Sequence, residues 1–75
     1  IDIYKNVASY ALTIGIGYEV EKYALGIFNA EGKSVLRKTL NSGTSTIDIG
    51  SLPIGLYLVR IESKNHRFFG KFIQN

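Results

Sequence analysis

The sequence predicts an all-β protein, an antiparallel β-sandwich of about seven short strands. Three observations support this fold class. Apolar and polar residues alternate with a period of two, which places every second side chain on the same face of a strand. Turn-forming residues recur about every 8 to 12 positions, as in sandwiches and small barrels. The β-branched residues that favour strands are abundant, with ten isoleucines, four valines and four threonines.

Length and composition indicate one folded domain. The chain has 75 residues, of which 45% are hydrophobic and 20% charged, so it is too short for two domains and too apolar for a disordered segment. It contains no cysteine and one histidine, which argues against disulfides and a four-ligand zinc site. We therefore expect a single domain over residues 1–75 that uses no cofactor. Because the chain begins at Ile1, we expect it to be a piece of a longer protein.

The longest alternating stretch covers residues 10–20. Its even positions are large and apolar, namely Tyr10, Leu12, Ile14, Ile16, Tyr18 and Val20. The odd positions are small or charged, which predicts a half-buried strand with the even residues in the core. Gly15 and Gly17 weaken a strand, so a bulge or a bend is expected near them.

A hairpin is predicted next. Tyr23, Leu25 and Ile27 alternate with their neighbours, and the turn residues 29–32 follow. The returning strand covers residues 33–40. Asn41 and Gly43 then break the chain, because glycine admits a positive φ and asparagine tolerates it. A short alternating strand follows over residues 46–49.

The last third of the chain predicts two more strands. Residues 56–63 begin with an almost continuous apolar run, which indicates a central strand, and residues 67–73 form a final strand rich in phenylalanine. In the loop between residues 51 and 55, Pro53 fixes φ and lacks a backbone donor. Tyr57 follows near the start of the next strand, which is the position of a tyrosine corner. This feature favours a sandwich over a small barrel.

Catalytic chemistry has little support in the sequence. His66 is the sole histidine and lies in a predicted turn, so it is better explained as a solvated residue than as a catalytic base. Glu19 and Glu21 share a strand face that carries glycines, so a solvent-facing pair is favoured over the carboxylates of a glycosidase. The segment from Gly15 to Gly17 lacks the lysine and the helix of a phosphate loop. We therefore expect a protein that is not an enzyme.

Binding of nucleic acid or insertion into a membrane is also disfavoured. Basic and aromatic residues alternate near the end of the chain, as on a surface that binds single strands: Arg60, Lys64, Arg67, Phe68, Phe69, Lys71 and Phe72. Alternation turns some of these phenylalanines inward, and the net charge of +3 is small for a phosphate-binding surface. The apolar runs are much shorter than the roughly 18 residues of a transmembrane helix.

Three stretches match a family pattern in order. The first is Ile3-Tyr4-Lys5-Asn6-Val7-Ala8, and the second covers residues 28–33 with Asn29 and Gly32. The third covers residues 47–59, and its matching positions are Leu52, Pro53, Gly55, Tyr57 and Val59. Together they resemble the C-terminal sorting domain of the type IX (Por) secretion system, type A. The resemblance covers essentially the whole chain, and its most specific element is Leu-x-x-Gly-x-Tyr-x-Val.

Two departures from that family are visible. The family usually opens with a Tyr-Pro-Asn-Pro turn, whereas Lys5 and Val7 occupy the two proline positions here, so that turn is less fixed. The family also tends to end with two lysines four positions apart. Arg67 and Lys71 have this spacing and are the candidate basic pair, but Asn75, and not a lysine, stands four positions after Lys71.

The resemblance implies an Ig-like sandwich of seven strands at the C-terminal end of proteins that Bacteroidota export across the outer membrane. The implied partners are an N-terminal cargo domain, the type IX translocon, an outer-membrane shuttle protein and a cell-surface sortase that removes the domain. The implied locations are the periplasm in transit and then the cell surface or the extracellular space.

For recognition we expect Lys71, Phe72 and Ile73, with the end of the chain, to form part of the bound surface by strand addition. Core packing explains Phe69 and Ile73 equally well. The main alternative function is that of an Ig-like accessory module that binds carbohydrate or another protein. Apolar edge strands would also permit a homodimer.

Overall fold

The computed structural model describes residues 2–6, 10–16, 22–41, 43–64 and 66–75, and these residues form seven β-strands and no helix. The strands are β1 (Asp2–Asn6), β2 (Ala11–Ile16), β3 (Tyr23–Asn29), β4 (Ser34–Leu40), β5 (Gly43–Asp48), β6 (Gly55–Glu62) and β7 (Arg67–Gln74). The all-β fold class predicted from the alternation is confirmed.

The strands form two antiparallel sheets. One sheet has three strands in the order β1-β2-β5, and the other has four strands in the order β4-β3-β6-β7. Strand β6 pairs with both β3 and β7, which confirms the central position predicted from its apolar start. Strands β1, β5, β4 and β7 are the sheet edges.

Side chains of both sheets meet in one apolar core. The three-stranded sheet contributes Leu12, Ile14, Ile16 and Ile47, and the four-stranded sheet contributes Tyr23, Leu25, Ile27, Leu40, Tyr57, Val59, Ile61 and Phe72. Within each strand these residues lie two positions apart, as the alternation predicts. Burial of these large side chains stabilises the domain, which contains no cysteine that could form a disulfide.

Strand β2 begins one residue later than the alternation predicts, and one predicted core residue is wrong. Tyr10 is 54% exposed and lies in a turn before β2 with a φ of 50°. Its carbonyl accepts a hydrogen bond of 3.0 Å from the backbone N–H of Ile49, so the backbone is anchored while the side chain faces solvent. Tyr18, Val20 and the two glutamates of the predicted strand lie outside the described residues.

Other strand boundaries also differ from the prediction. Strand β5 begins at Gly43, three residues earlier than predicted, because it pairs with β2 from Asp48 back to Gly43. Gly43 itself has a φ of 103°. Lys5 lies within β1, opposite Leu12, although the family resemblance places a turn there. At the end of the chain, β6 stops at Glu62 and β7 extends to Gln74.

Polar contacts also connect the two sheets. The Lys5 ammonium group on β1 donates a hydrogen bond to the carbonyl of Ile73 on β7. The Gln74 amide on β7 donates one of 2.8 Å to the carbonyl of Ile49, the residue that follows β5. Both contacts hold β7 against the opposite sheet.

Candidate recognition surface

The motif residues Asn29 and Gly32 build the turn between β3 and β4. The Asn29 side-chain oxygen accepts hydrogen bonds from the backbone N–H groups of Glu31, at 3.0 Å, and Lys33, at 2.9 Å. The Gly32 N–H donates to the Asn29 carbonyl at 2.9 Å, and Gly32 has a φ of 85°. These bonds describe a three-residue hairpin loop with a bulge, which requires glycine at the left-handed position. Both residues therefore have a structural role here.

The second motif shapes the loop between β5 and β6. The Asp48 carboxylate accepts a bond of 2.9 Å from the Gly50 N–H, and the Leu52 N–H donates at 3.1 Å to the carbonyl of Ile49. These two bonds turn the chain directly after β5. Leu52 is partly buried and packs against the core, which fixes the loop to the sandwich.

The predicted tyrosine corner is confirmed. The Tyr57 hydroxyl donates a hydrogen bond of 2.6 Å to the carbonyl of Pro53, four residues upstream. Tyr57 is 3% exposed and Val59 is 1% exposed, so both side chains of the motif lie in the core. Gly55 has a φ of 154°, which L side chains rarely adopt. The motif thus specifies the corner that leads into the central strand.

Phe72 is not on the surface. Its side chain is 7% exposed, and its ring stacks on that of Tyr57 with 5.3 Å between the ring centroids. The alternation along β7 turns this side chain into the core, so the predicted part of Phe72 in recognition by strand addition would fall to its backbone. Ile73 is 60% exposed and Lys71 is also exposed, so these two side chains do face solvent.

We call the solvent-facing side of the four-stranded sheet the outer face. It brings the exposed residues of β7 together with those of the neighbouring strands. Across β6 and β7 the opposed outer pairs are Leu56 with Ile73, Leu58 with Lys71, Arg60 with Phe69, and Glu62 with Arg67. Across β3 and β6 they are Phe28 with Leu58, Gly26 with Arg60, and Ala24 with Glu62. Arg37 on β4 lies opposite Gly26.

Several large apolar side chains of the outer face are exposed. The exposed fractions are 43% for Leu56, 45% for Leu58 and 64% for Phe69, beside 60% for Ile73. Of the two explanations for Phe69 and Ile73, the structure excludes core packing. Sequence reasoning missed Leu56 and Leu58, because a central strand that is apolar on both faces is normally covered on both.

The charged residues of the outer face form a small network. The Glu62 carboxylate pairs through one oxygen with Arg60 Nε and through the other with Arg67 Nε, both at 3.0 Å. The Arg60 guanidinium also lies 4.9 Å from the centroid of the Phe28 ring, a cation–π contact. Such partly exposed pairs contribute little stability, but they fix the direction of the Arg60 side chain.

Two shallow depressions lie on the outer face, and Arg60 borders both. One is an apolar groove of about 250 Å³ beside Phe28, Leu58 and Phe69. The other is a polar trough of about 560 Å³ between Arg37 and Arg60, over the small residues of β3. The predicted basic pair, Arg67 and Lys71, lies on the same face, four residues apart on β7.

The described residues contain no arrangement of side chains that supports the other candidate sites. His66 is exposed. Its backbone N–H donates a hydrogen bond of 3.1 Å to the Ser63 hydroxyl, and its carbonyl accepts one of 2.8 Å from the Ser63 N–H. The described part of the chain brings no three His, Cys, Asp or Glu side chains together as metal ligands. It also contains no helix long and apolar enough to span a membrane.

Comparison with known proteins assigns the fold and the family. No curated protein sequence matches the chain significantly. Among solved structures, the chain resembles a DUF3244 family protein from Bacteroides vulgatus that has an immunoglobulin-like β-sandwich fold. The TM-score is 0.86 at 20% sequence identity, over 97% of this chain and 81% of that chain. At this identity the likeness shows the fold alone.

The sequence pattern of one family matches almost the entire chain. Residues 2–75 match the family described as the secretion system C-terminal sorting domain. The match includes both turn motifs whose hydrogen bonds are described above. The chain therefore belongs to the family of type IX (Por) secretion C-terminal sorting domains.

Proposed function

We propose that this domain is the address of an exported protein, recognised by the type IX translocon after transit through the periplasm. An outer-membrane shuttle protein then collects the cargo, and a cell-surface sortase removes the domain. The observation that carries the proposal is the family match over residues 2–75, on a chain whose motif residues form the turns of an Ig-like sandwich. A sorting signal of this family implies export to the cell surface or the extracellular space.

In this role the domain is a ligand for other proteins and not a catalyst. The motif residues support such a role indirectly, because they stabilise the turns of the domain that other proteins would recognise. These residues are Asn29, Gly32, Gly55 and Tyr57. We propose that direct contact with the secretion machinery falls instead to exposed residues, which include Arg67, Lys71 and Ile73 on β7.

A fusion experiment tests the proposed function. A reporter protein that carries this chain at its C-terminus is expressed in a bacterium with an intact type IX system and in a matched strain without the translocon. We expect the reporter outside the first strain and inside the second. Equal retention in both strains contradicts the proposal and favours an Ig-like accessory module that binds carbohydrate or another protein.

One substitution tests the contact residues of β7. Lys71 is exposed and makes no ion pair with the side chains that the structure describes, so Lys71→Glu should leave the fold intact. We expect export to fall for this variant and to remain normal for Lys64→Glu, a matched charge reversal in the bend before β7. Normal export of Lys71→Glu would exclude Lys71 from the contact.

A further inference from the structure

We propose that the outer face binds a short acidic segment of a partner protein, with one large apolar side chain of that segment in the groove beside Phe69. Carboxylates of the same segment would bind Arg37 and Arg60. The inference rests on the proposed function, because it assigns a chemistry to the surface through which the secretion machinery would recognise the domain.

The apolar half of this surface is a continuous patch. Single exposed apolar residues are common on proteins, but adjacent ones mark interaction sites. Leu58 is opposed by Phe28 on β3, and Phe69 lies on the neighbouring strand β7. The groove between them measures about 250 Å³. Pockets that enclose a whole small molecule usually measure roughly 300 to 1,000 Å³, so this groove suits one large side chain.

The basic half is set by the strand register. Arg37, Gly26 and Arg60 lie side by side on β4, β3 and β6. Since neighbouring strands are about 4.8 Å apart, the two arginine backbones are separated by about 10 Å. Gly26 has no side chain of its own, and the Phe28 ring lies above it, with Cε2 3.0 Å from where a Cβ atom of residue 26 would be. The trough of about 560 Å³ between the two arginines therefore lies beside this ring, over Ala24. An acidic group can therefore approach both guanidinium groups through the trough, from above Ala24.

Arg60 connects the two halves. Its Nε is paired with Glu62 at 3.0 Å, and its guanidinium lies 4.9 Å from the Phe28 ring centroid. These contacts orient the guanidinium and leave its two terminal nitrogens as donors for a carboxylate. Because Arg60 borders both depressions, the acidic and apolar groups of the occupant must be close neighbours in sequence.

The charge of the outer face favours an acidic occupant. Its strand residues include four cations, at positions 37, 60, 67 and 71, and one carboxylate, Glu62. Both oxygens of that carboxylate are engaged by arginines. A protein segment is favoured over an anionic lipid surface. A groove for one side chain and an oriented guanidinium bind best to a ligand whose apolar and acidic groups are held at fixed positions.

Titration of the chain with synthetic peptides tests the proposal. The probe is acetyl-Asp-Glu-Phe-Glu-Asp-amide, and the controls replace its phenylalanine by alanine or its four acidic residues by lysine. Binding is followed by the amide resonances of the isotope-labelled 75-residue chain. We expect the probe to shift the signals of Gly26, Leu58, Arg60 and Phe69. The Kd of the probe should be lower than that of either control peptide by about fivefold or more, which corresponds to about 1 kcal/mol of binding free energy.

Two pairs of variants localise the binding. Phe69→Ser and Arg37→Glu should each weaken binding of the probe about fivefold or more. Ile54→Ser removes an apolar residue that is 83% exposed in a loop, and Lys33→Glu reverses a charge in a turn, so both controls should bind normally. Thermal unfolding shows that each variant is folded. Equal affinity for the three peptides, or equal effects of test and control variants, would overturn the proposal.

Two further measurements separate this inference from its alternatives. Vesicles of phosphatidylglycerol test a lipid occupant, and binding to vesicles without binding to the probe would overturn the proposal in favour of a membrane. In the fusion assay, normal export of both Phe69→Ser and Arg37→Glu would refute the role of the outer face while the sorting function stands. If even the unaltered chain fails to direct export, the proposed function fails and the peptide titration alone decides whether the acidic-segment site exists.

Discussion

The amide of Gln74 donates a hydrogen bond of 2.8 Å to the backbone carbonyl of Ile49 and so ties the last strand of one sheet to the loop after β5 of the other. The same carbonyl accepts a bond of 3.1 Å from the Leu52 N–H. Gln74 is 3% exposed, and its side-chain oxygen accepts no hydrogen bond from the described residues. A glutamine near the end of a chain is usually exposed, which is why sequence reasoning gave Gln74 no role.

Two substitutions at Gln74 should lower the free energy of unfolding by very different amounts. Gln74→Glu places a carboxylate in the buried site beside the Ile49 carbonyl oxygen, and we expect the free energy of unfolding to fall by about 2 kcal/mol or more at neutral pH. Gln74→Met loses the donor but also removes the oxygen without a partner, and Ile49 keeps its bond to Leu52. It should stay within about 1 kcal/mol of the parent chain. Urea unfolding checks both, and equal stability of the two variants would contradict this account.

Replacing Tyr57 with phenylalanine tests the tyrosine corner. The substitution keeps the ring that stacks on Phe72 but removes the donor to Pro53. We expect the free energy of unfolding to fall by about 1 kcal/mol, the usual contribution of one hydrogen bond. Export of a fused reporter should be retained, because the Tyr57 side chain is buried. Loss of export from a folded Tyr57→Phe variant would instead identify the hydroxyl as a contact with the machinery.

Gly55 should resist substitution for a conformational reason. A Cβ atom built there meets no atom within 4 Å, so alanine causes no clash, but the φ of 154° is unfavourable for any L side chain. We expect Gly55→Ala to lower the free energy of unfolding by about 1 to 3 kcal/mol. Ser51→Ala, in the same loop, is the control and should change it by less than about 0.5 kcal/mol. Both values come from denaturant unfolding, and similar losses for the two variants would refute a backbone origin.

The predictable part of this fold was the part controlled by local patterns. Alternation identified the core positions Leu25 and Ile27, and the spacing from Pro53 to Tyr57 identified the corner. The prediction that Tyr10 lies in the core was wrong. Its left-handed backbone conformation turns the side chain toward solvent, and nothing in the amino-acid sequence marks such a conformation. Lys5 was placed in a turn by family resemblance, whereas it pairs with Leu12 on β2, the next strand along the chain.

The recognition surface was harder to predict than the core. Period-two alternation divides the residues of a strand between two faces, but it does not tell which face another layer covers. Leu56 and Leu58 looked like residues of a strand buried on both sides, and Phe69 had two equal explanations. The cross-strand register of β3, β6 and β7 decided these cases, because it places all three side chains on the outer face.

We predict that Lys38 limits association through the edge strand β4. It lies opposite Leu25, on the core-facing side of the strand, yet it is exposed. A charged residue that points inward on an edge strand discourages pairing with another chain, because such pairing would bury the charge. We expect Lys38→Val to form dimers at lower protein concentration than the parent chain, as measured by sedimentation velocity.

Thr39→Val is the matched control for Lys38→Val. Thr39 is the next residue of β4, opposite Ala24, and its exposed side chain lies on the other side of the strand. Both variants place an apolar valine on the edge strand, but only Lys38→Val removes the inward-pointing charge. The control should therefore associate like the parent chain. If Thr39→Val dimerises as readily as Lys38→Val, added apolar area and not the lost lysine drives the association.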